Sequence, residues 1–241
     1  MTQTTAPLSF TLHGLRQGAL GVGVLLPGTA LFAMAFGVMA KATGLGLGEA
    51  TLLSAWVYAG GAQMATLQAW ADPIPLLAVV LTTLAMNARY LLLGAAMRPC
   101  LGRLPAGQSY ASLFVLGDAN GAMALQRYAD GERDAAFVLG SGAAMWAVWV
   151  TGTAAGHGFG QALGDPRQLG LDFMLGAFFA TMAAGWLDRR GNPLPFAVGL
   201  LGAIAIDRLL GAPWSILIGA GIGALVAAFT WREEGCDGSQ A

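Results

Sequence analysis

The stretch LTTLAMNARYLLLGAAM, residues 81–97, ends an apolar run that begins at residue 74 and carries only two strongly polar side chains, Asn87 and Arg89. About 20 apolar residues suffice for a helix to cross the hydrocarbon core of a bilayer. An arginine at that depth costs from about 3 to more than 10 kcal/mol, so a protein keeps it only where something compensates the charge. The run therefore predicts a membrane helix whose arginine is functional or paired.

The whole chain has the composition of a membrane protein. Of its 241 residues, 56% are hydrophobic and 10% are charged, and the mean hydropathy is +0.63. A soluble domain has about 25% charged residues, so this composition argues against a large soluble enzyme. The net charge of −1 comes without any basic or acidic tract that could hold a nucleic acid. Cys100 and Cys236 lack the spacing of a zinc site, and we expect no metal or cofactor.

Seven apolar windows follow one another along the chain, each close to the length of a membrane helix. They cover residues 18–40, 50–70, 74–97, 135–155, 170–187, 194–210 and 214–230. An eighth, weaker segment at 111–128 carries Asp118 and Asn120 in its middle, and it either spans or turns back. We therefore predict an all-α polytopic membrane protein with seven or eight membrane segments, forming a single integral membrane domain over residues 1–241.

Short matching words occur in the same order in both halves of the chain, which indicates an internal duplication. GLGLG at 44–48 corresponds to GHGFG at 156–160, and GAQMAT at 61–66 to GAFFAT at 176–181. Three further pairs are DPIPLLAV at 72–79 with NPLPFAV at 192–198, ARYLLLGA at 88–95 with DRLLGA at 207–212, and GDANGAM at 117–123 with GAGIGAL at 219–225. We predict two pseudo-symmetric repeats, at about 18–129 and about 135–230.

The positive-inside rule offers a guide to the orientation of these repeats. If 111–128 turns back, seven spans remain, and eight cationic side chains lie on one side of the membrane against three on the other. In that arrangement Lys41 shares a side with Arg98, Arg103, Arg127 and Arg133, whereas Arg16 lies opposite. This partition favours inverted repeats and an external N-terminus.

Four stretches, taken in order, resemble the AzlC family, the large subunit of branched-chain amino acid permeases. They are LPGTALFAMAFG (26–37), SAWVYAGGAQMATL (54–67), DPIPLLAVVLTTLAMNARYLLLGAAM (72–97) and GDANGAMAL (117–125). The resemblance covers nearly the whole chain, and AGGAQ and NARY are its most specific parts. It implies an exporter of branched-chain amino acids in the bacterial inner membrane, working with a small hydrophobic AzlD-like subunit. Such proteins often show an acidic pair where this chain has Asp118 followed by Ala119, so the second carboxylate is missing.

A site for a free amino acid needs donors for the carboxylate, acceptors for the ammonium group and an apolar pocket. Arg89 can bind the carboxylate, because its guanidinium offers a planar fork and stays charged when desolvated. Alternatively, Arg89 snorkels to the headgroups or pairs with Asp118. Asp118 can titrate as a proton-coupling site, or it can cap a helix start in GDANG. Asn120 of the same motif joins the predicted substrate-binding residues.

The stretch YAGGAQMAT supplies further predicted substrate-binding residues, namely Gly60, Gly61, Gln63 and Thr66. The glycine pair permits close backbone approach or a local helix break, and a break would expose carbonyl groups suited to an ammonium ion. The alternative is close packing of small residues, with Gln63 bonding to a neighbouring helix.

Two polar features of the other segments complete the candidate site. Asn87 is predicted to share a helix face with Thr83 and Tyr90, away from Arg89, and to line a cavity or bond to a neighbouring helix. Pro27 lies inside the first apolar window, where a proline kinks a helix, and we predict that it acts as a hinge.

Two other classes of protein fit parts of the sequence. An intramembrane hydrolase could use Gly140-Ser141-Gly142 with His157, and a channel-like or structural membrane subunit would need no coupling residue. No Walker A motif is present in the chain. We predict a multi-pass inner-membrane secondary transporter rather than an enzyme, acting by alternating access and coupled to a proton or ion gradient. It would act with an AzlD-like partner or as a homo-oligomer.

Overall fold

The computed structural model describes residues 8–68, 70, 74–160, 180, 193–210 and 214–230, and the regular structure within these ranges is helical. The helices are α1 (Leu12–Gly21), α2 (Leu26–Ala42), α3 (Leu47–Val57), α4 (Gly60–Gln68), α5 (Leu76–Asn87), α6 (Arg89–Leu101), α7 (Ala106–Phe114), α8 (Asp118–Ala129), α9 (Ala136–Phe159), α10 (Leu194–Leu210) and α11 (Trp214–Thr230). The all-α prediction is therefore confirmed for the part of the chain that the structure describes.

Two stretches in these ranges are long and apolar enough to cross a membrane, α9 and the almost continuous run Leu76–Leu101 formed by α5 and α6. A third results if α1 and α2, which are bent by 70° at their junction, count as one span. The windows 194–210 and 214–230 coincide with α10 and α11. The window 170–187 lies outside the described residues apart from Ala180. The count of seven or eight segments and the inverted repeats stay predictions.

Pro27 stands at the start of α2 rather than inside a continuous helix. The bend lies just before it, between Gly21 and Leu26, and Pro27 is the second residue of α2. Proline is tolerated in a first helical turn because its missing N–H has no intrahelical partner there. The predicted kink is therefore present as a break between two helices, and motion about it stays a prediction.

Helix α9 is the centre of the bundle, and α1, α2, α3, α7 and α8 pack against it. Glycines allow the closest approaches, because a β-carbon at Gly37 of α2 would lie 2.2 Å from the Thr153 carbonyl oxygen, and one at Gly156 would lie 2.1 Å from that of Met34. Such small-residue contacts are typical of helix packing in membranes, where tight backbone contact replaces the hydrophobic effect.

The apolar window 50–70 forms two helices that fold back on each other. Helix α3 ends at Val57, Tyr58 takes a left-handed conformation with φ of 42°, and α4 begins at Gly60. If α4 continued along α3, Ser54 and Gln63 would lie about 13 Å apart along the axis. Instead Gln63 Nε2 donates to Ser54 Oγ at 3.0 Å. Helices α3 and α4 therefore form a helical hairpin, called hairpin A below, with its tip at Tyr58.

The window 111–128 also turns back. Helix α7 ends at Phe114, and α8 begins at Asp118 after three non-helical residues. Near the start of α7, Ser109 Oγ donates to the Leu101 carbonyl at 2.7 Å, and near the end of α8, Tyr128 Oη donates to the Pro99 carbonyl at 3.4 Å. Both outer ends thus lie against the end of α6, so the chain reverses direction between α7 and α8, which pack on α6 and α9 rather than mainly on each other. This pair of helices is called hairpin B, with its tip at residues 115–117.

The two hairpins enter the bundle from opposite ends of α9. Hairpin A starts beside the last turns of α9, where a ring nitrogen of His157 lies 2.8 Å from the Leu45 carbonyl oxygen. Hairpin B ends beside the start of α9, because Glu132, which pairs with Arg127 of α8, lies four residues before Ala136. Each arm is only 9–12 residues long, which is too short to cross a bilayer alone.

The structure corrects the predicted partition of cationic residues around α9. Lys41 Nζ donates to the His157 carbonyl at 3.2 Å, so Lys41 lies at the end of α9 opposite to Arg133. Arg127 donates to Gln17 of α1 at 3.0 Å, which brings Arg16 to the same end as Arg127 and Arg133. The sequence placed Lys41 with these arginines because it counted the window 50–70 as a span, whereas hairpin A returns to the end where it began.

Candidate functional site

The tips of the two hairpins meet near the middle of the long helices. Trp146, the eleventh of the 24 residues of α9, donates from its indole to the Ala55 carbonyl of hairpin A at 2.9 Å. Its ring also lies 6.5 Å from that of Phe114 in hairpin B, and Phe114 lies 6.1 Å from Trp56 of hairpin A. A β-carbon at Gly117 would lie 3.9 Å from the Tyr58 hydroxyl.

Arg89 and Asp118 form an ion pair beside these tips. Arg89 is the fourteenth of the 26 residues of the run Leu76–Leu101, and its Nη2 lies 3.0 Å from Asp118 Oδ2. The run has a 3₁₀-type hydrogen bond just before Arg89, because the Leu91 N–H donates to the carbonyl of Ala88, three residues earlier. Asp118 is the first residue of α8, but in the described structure its carboxylate pairs with Arg89 and does not cap the helix start, where Asn120 accepts the Gly117 N–H instead. Its pairing with Arg89 neutralises an arginine at the centre of a long apolar helix.

Part of this site has hydrogen-bonding capacity that the described residues leave unused. Arg89 Nε and Asn87 Oδ1 are buried and have no hydrogen-bond partner in the described ranges. A buried donor or acceptor without a partner costs about 1–3 kcal/mol, so a ligand that supplied the missing bonds would be stabilised there. The guanidinium of Arg89 also lies 5.2 Å from the centroid of the Tyr90 ring.

A cavity of about 240 Å³ lies at the junction of the hairpins and the α5–α6 helix. It is lined by Val57, Tyr58, Tyr90, Leu113, Phe114 and Leu116. Drug-sized ligands occupy about 300–1,000 Å³, so this volume suits a smaller molecule. The lining is largely apolar with two phenol groups, and one of these, Tyr90, contacts Arg89 of the ion pair through its ring. The arrangement can hold a small amphiphilic ligand.

Gln63 belongs to a separate polar cluster, which joins hairpin A to α9. Trp149 Nε1 donates to Gln63 Oε1 at 3.0 Å, Gln63 Nε2 donates to Ser54 Oγ, and Ser54 and Thr153 hydroxyls lie 2.8 Å apart. All four side chains are buried. A β-carbon at Gly60 would lie 2.6 Å from the Trp149 ring, and Gly61 is also buried. This geometry matches the packing alternative for the Gly-Gly-Ala-Gln stretch.

The remaining predicted residues are spread around these two clusters. Thr66 and Thr83 share a hydrogen bond of 3.3 Å, which links α4 to α5. Asn120 is fully buried, accepts the Gly117 N–H at 2.7 Å and donates to the Val115 and Val138 carbonyls, so its amide holds the tip of hairpin B. Among the described residues, no hydrogen bond or ion pair joins Gln63 to Arg89. Substrate binding by these residues stays a prediction.

Several residues of the two clusters were absent from the predicted site. Ser54, Trp149 and Thr153 were missed, although a serine and a threonine within apolar segments were a usable signal. Tyr58 had no role in the predicted site, whereas its left-handed conformation identifies it as the turning point. No local pattern connects Ser54 to Thr153, which lies 99 positions away.

The serine and histidine of the hydrolase alternative are far apart. Ser141 and His157 lie on the same helix, α9, sixteen residues apart, which is about 24 Å along its axis. Ser141 Oγ donates to the Phe137 carbonyl at 2.7 Å within its own helix. They therefore cannot act as a nucleophile and its base.

Long apolar helices, two opposed hairpins and a central ion pair define a helical membrane protein. The chain belongs to the AzlC family: a family model described as AzlC protein matches residues 24–163, which include both hairpins and the ion pair. The chain is also 30% identical over 201 residues to Inner membrane protein YgaZ of Escherichia coli (strain K12), covering 81% of this chain and 82% of that protein. No solved structure matches the chain.

Proposed function

We propose that the chain is a secondary transporter that exports branched-chain or other hydrophobic amino acids by alternating access. The observation that supports this most directly is the meeting of two opposed helical hairpins at the Arg89–Asp118 pair and its adjoining cavity. Transporters place substrate sites near the bilayer midplane, where broken helices free backbone dipoles for coordination. A structural subunit would have no need of such a cavity beside a charge pair.

The chemistry of the site suits an amino acid with an apolar side chain. Arg89 is the cation that the substrate carboxylate would meet, since its Nε has no partner among the described residues and its Nη2 is shared only with Asp118. Val57, Leu113 and Leu116 offer an apolar wall for the side chain. The site would thus bind the charged end of the substrate at Arg89 and the apolar end at this wall.

Asp118 supplies a candidate coupling step. A substrate carboxylate that binds Arg89 competes with Asp118, and a carboxylate that loses its cationic partner in a desolvated site favours its protonated form. Exchange of partners at Arg89 would link substrate occupancy to the protonation of Asp118. The coupling is therefore proposed to involve protons rather than ATP.

The setting of the transporter is proposed by analogy to its family. We propose a location in the bacterial inner membrane and a small hydrophobic AzlD-like partner subunit, with a homo-oligomer as the alternative. The relative YgaZ is named as an inner membrane protein. Purification of the tagged chain distinguishes these two assemblies. A small membrane protein encoded by an adjacent gene should co-purify with the chain if the partner subunit exists, whereas a homo-oligomer should contain this chain alone.

The test is an efflux assay in cells that lack other valine exporters. Cells with the gene or an empty vector, and with any partner subunit co-expressed, are loaded with a valine-containing dipeptide, and free valine is measured outside. We expect faster valine efflux with the gene, no change in lysine efflux, and loss of uphill efflux after a protonophore. Equal valine efflux in both strains removes the branched-chain assignment, whereas downhill efflux that the protonophore leaves unchanged favours a channel.

A further inference from the structure

The cavity between the hairpins receives the carboxyl-terminal ends of two helices. Val57 is the last residue of α3 and Phe114 is the last residue of α7, and both line the cavity. The C-terminal end of an α-helix carries about −0.5 elementary charge, because its last carbonyl groups lack intrahelical donors. The positive N-terminal ends of α4 and α8 lie at the same two tips, but their first residues, Gly60 and Asp118, do not line the cavity, so the helix ends nearest to it are the two negative ones.

The terminal carbonyl groups remain available to a ligand. Ala55, two residues before Val57, has its carbonyl bonded by the indole of Trp146 at 2.9 Å. In contrast, no described residue donates a hydrogen bond to the carbonyl oxygen of Val57 or of Phe114. A backbone acceptor that is withdrawn from water is stabilised by a donor or a cation.

Aromatic rings add to the attraction for positive charge. Tyr58 and Tyr90 both line the cavity, and the face of a tyrosine ring attracts cations. The Tyr90 ring already has the Arg89 guanidinium 5.2 Å from its centroid, so Tyr58 is the ring that can attract a further cation. The positive charge of Arg89 is balanced by Asp118 at 3.0 Å, so the ion pair as a whole does not cancel the field of the two helix ends. The cavity thus combines the C-terminal ends of α3 and α7, their unbonded carbonyl oxygens and the ring of Tyr58, all of which favour a cation.

We propose that this cavity is a cation subsite, which holds either the ammonium group of an amino acid or a Na⁺ ion. This inference rests on the proposed transport function and extends it. An ammonium group at the ends of α3 and α7 would leave the carboxylate of the same molecule for Arg89. The ion, in contrast, would bind independently of the amino acid.

The test separates the two ends of the substrate with small probes. The full-length chain, with any partner that co-purifies, is placed in lipid nanodiscs at pH 7 and titrated calorimetrically. The probes are 3-methylbutylamine, which has the cation alone, 4-methylpentanoate, which has the carboxylate alone, and NaCl against N-methyl-D-glucamine chloride at constant ionic strength. We expect either the amine or Na⁺ to bind.

Variants locate the bound cation. Tyr58→Leu should weaken binding of that cation by about 3- to 30-fold, the range of cation–π contributions, and leave 4-methylpentanoate binding unchanged. Leu113→Trp, which fills the cavity from α7, should abolish cation binding. Tyr110→Leu is the matched control, because Tyr110 lies on the same hairpin but is 72% exposed and outside the cavity.

The binding results test the cation subsite independently of the proposed transport function. Amine binding that depends on Tyr58 and Leu113 supports the ammonium source, and Na⁺ binding with that dependence supports the ion. Absence of binding by both cations, or binding that neither variant changes, overturns the subsite. Valine efflux without cation binding removes only the subsite, whereas cation binding without valine efflux removes only the transport assignment.

Discussion

Trp149 of α9 donates its indole N–H to Gln63 of α4 at 3.0 Å, and this bond fixes the orientation of the whole amide. An indole nitrogen can only donate, so the oxygen of Gln63 must face Trp149 and its nitrogen must face Ser54. Because Ser54 lies on the other arm of hairpin A, one side chain ties both arms to the central helix. The amide is thus committed to the fold, although the sequence suggested a ligand.

Replacement of Gln63 should therefore affect stability. Gln63→Ala leaves the buried Trp149 N–H and the Ser54 hydroxyl without this partner, and an unsatisfied buried group costs about 1–3 kcal/mol. We expect a lower midpoint of thermal unfolding in detergent, with KM for valine efflux unchanged. Gln126→Ala is the control, because Gln126 is exposed and bonds only to Asp130 in the described structure. A raised KM without loss of stability would assign Gln63 to the substrate.

The sequence predicted helices where apolar runs were continuous and bounded by proline or glycine. The windows 194–210 and 214–230 match α10 and α11 in both bounds for this reason. The turn of hairpin A could not be predicted in this way. The residue that turns the chain is Tyr58, a bulky residue in a left-handed conformation that local preferences disfavour. The neighbouring glycine pair indicated that a break was permitted, but the direction of the chain after it depends on α9.

Pairings across the bundle were predictable only as alternatives. The sequence offered Asp118 as one of two partners for Arg89, because both are charged residues in apolar surroundings. It offered no reason to join Thr66 to Thr83, or Ser54 to Thr153, since small hydroxyl residues occur throughout the chain. Such contacts depend on which helix faces meet.

The coupling role of Asp118 is open to a direct mutational test. Asp118→Asn removes the titratable group but keeps the shape of the side chain, so uphill valine efflux should be lost while exchange of labelled for unlabelled valine continues. Continued exchange also shows that the variant is folded. Asp130→Asn, at the exposed end of the same hairpin, should keep both activities. Normal uphill efflux by Asp118→Asn would contradict the proposed coupling.

The packing of α2 against α9 predicts opposite effects for two glycines that are two residues apart. A β-carbon at Gly156 would lie 2.1 Å from the Met34 carbonyl oxygen, so Gly156→Ala must push the helices apart and should cost about 1–3 kcal/mol or more. Gly158 faces open space within the same helix, so Gly158→Ala should be neutral or stabilising by about 0.5–1 kcal/mol. Thermal unfolding of both variants in one detergent measures the contrast. Equal stability of the two would show that α2 and α9 are not in close contact.

The distribution of arginines predicts the orientation of the bundle. Arg16, Arg127 and Arg133 gather at the start of α9, and Arg98 and Arg103 flank Leu101, which packs with Phe137 at the same end. Lys41 lies at the opposite end. By the positive-inside rule the arginine-rich end faces the cytoplasm, so the end of α2 lies outside and the end of α8 inside. Arg16 of α1 then lies on the cytoplasmic side, in contrast to the external N-terminus that the sequence predicts.

Single cysteines at these two helix ends test the orientation. With Cys100 and Cys236 replaced by serine, Ala42→Cys and Ala129→Cys place matched thiols, because both alanines are exposed last residues of their helices. A membrane-impermeant maleimide should label Ala42→Cys in intact spheroplasts and Ala129→Cys only after lysis. The reverse pattern would place the arginine-rich end outside. Hairpin A enters the bundle from the Lys41 end, so the expected labelling would also place the open end of hairpin A at the exterior. The open end of hairpin B would then face the cytoplasm. Alternating access through the cavity between the two hairpins requires this arrangement.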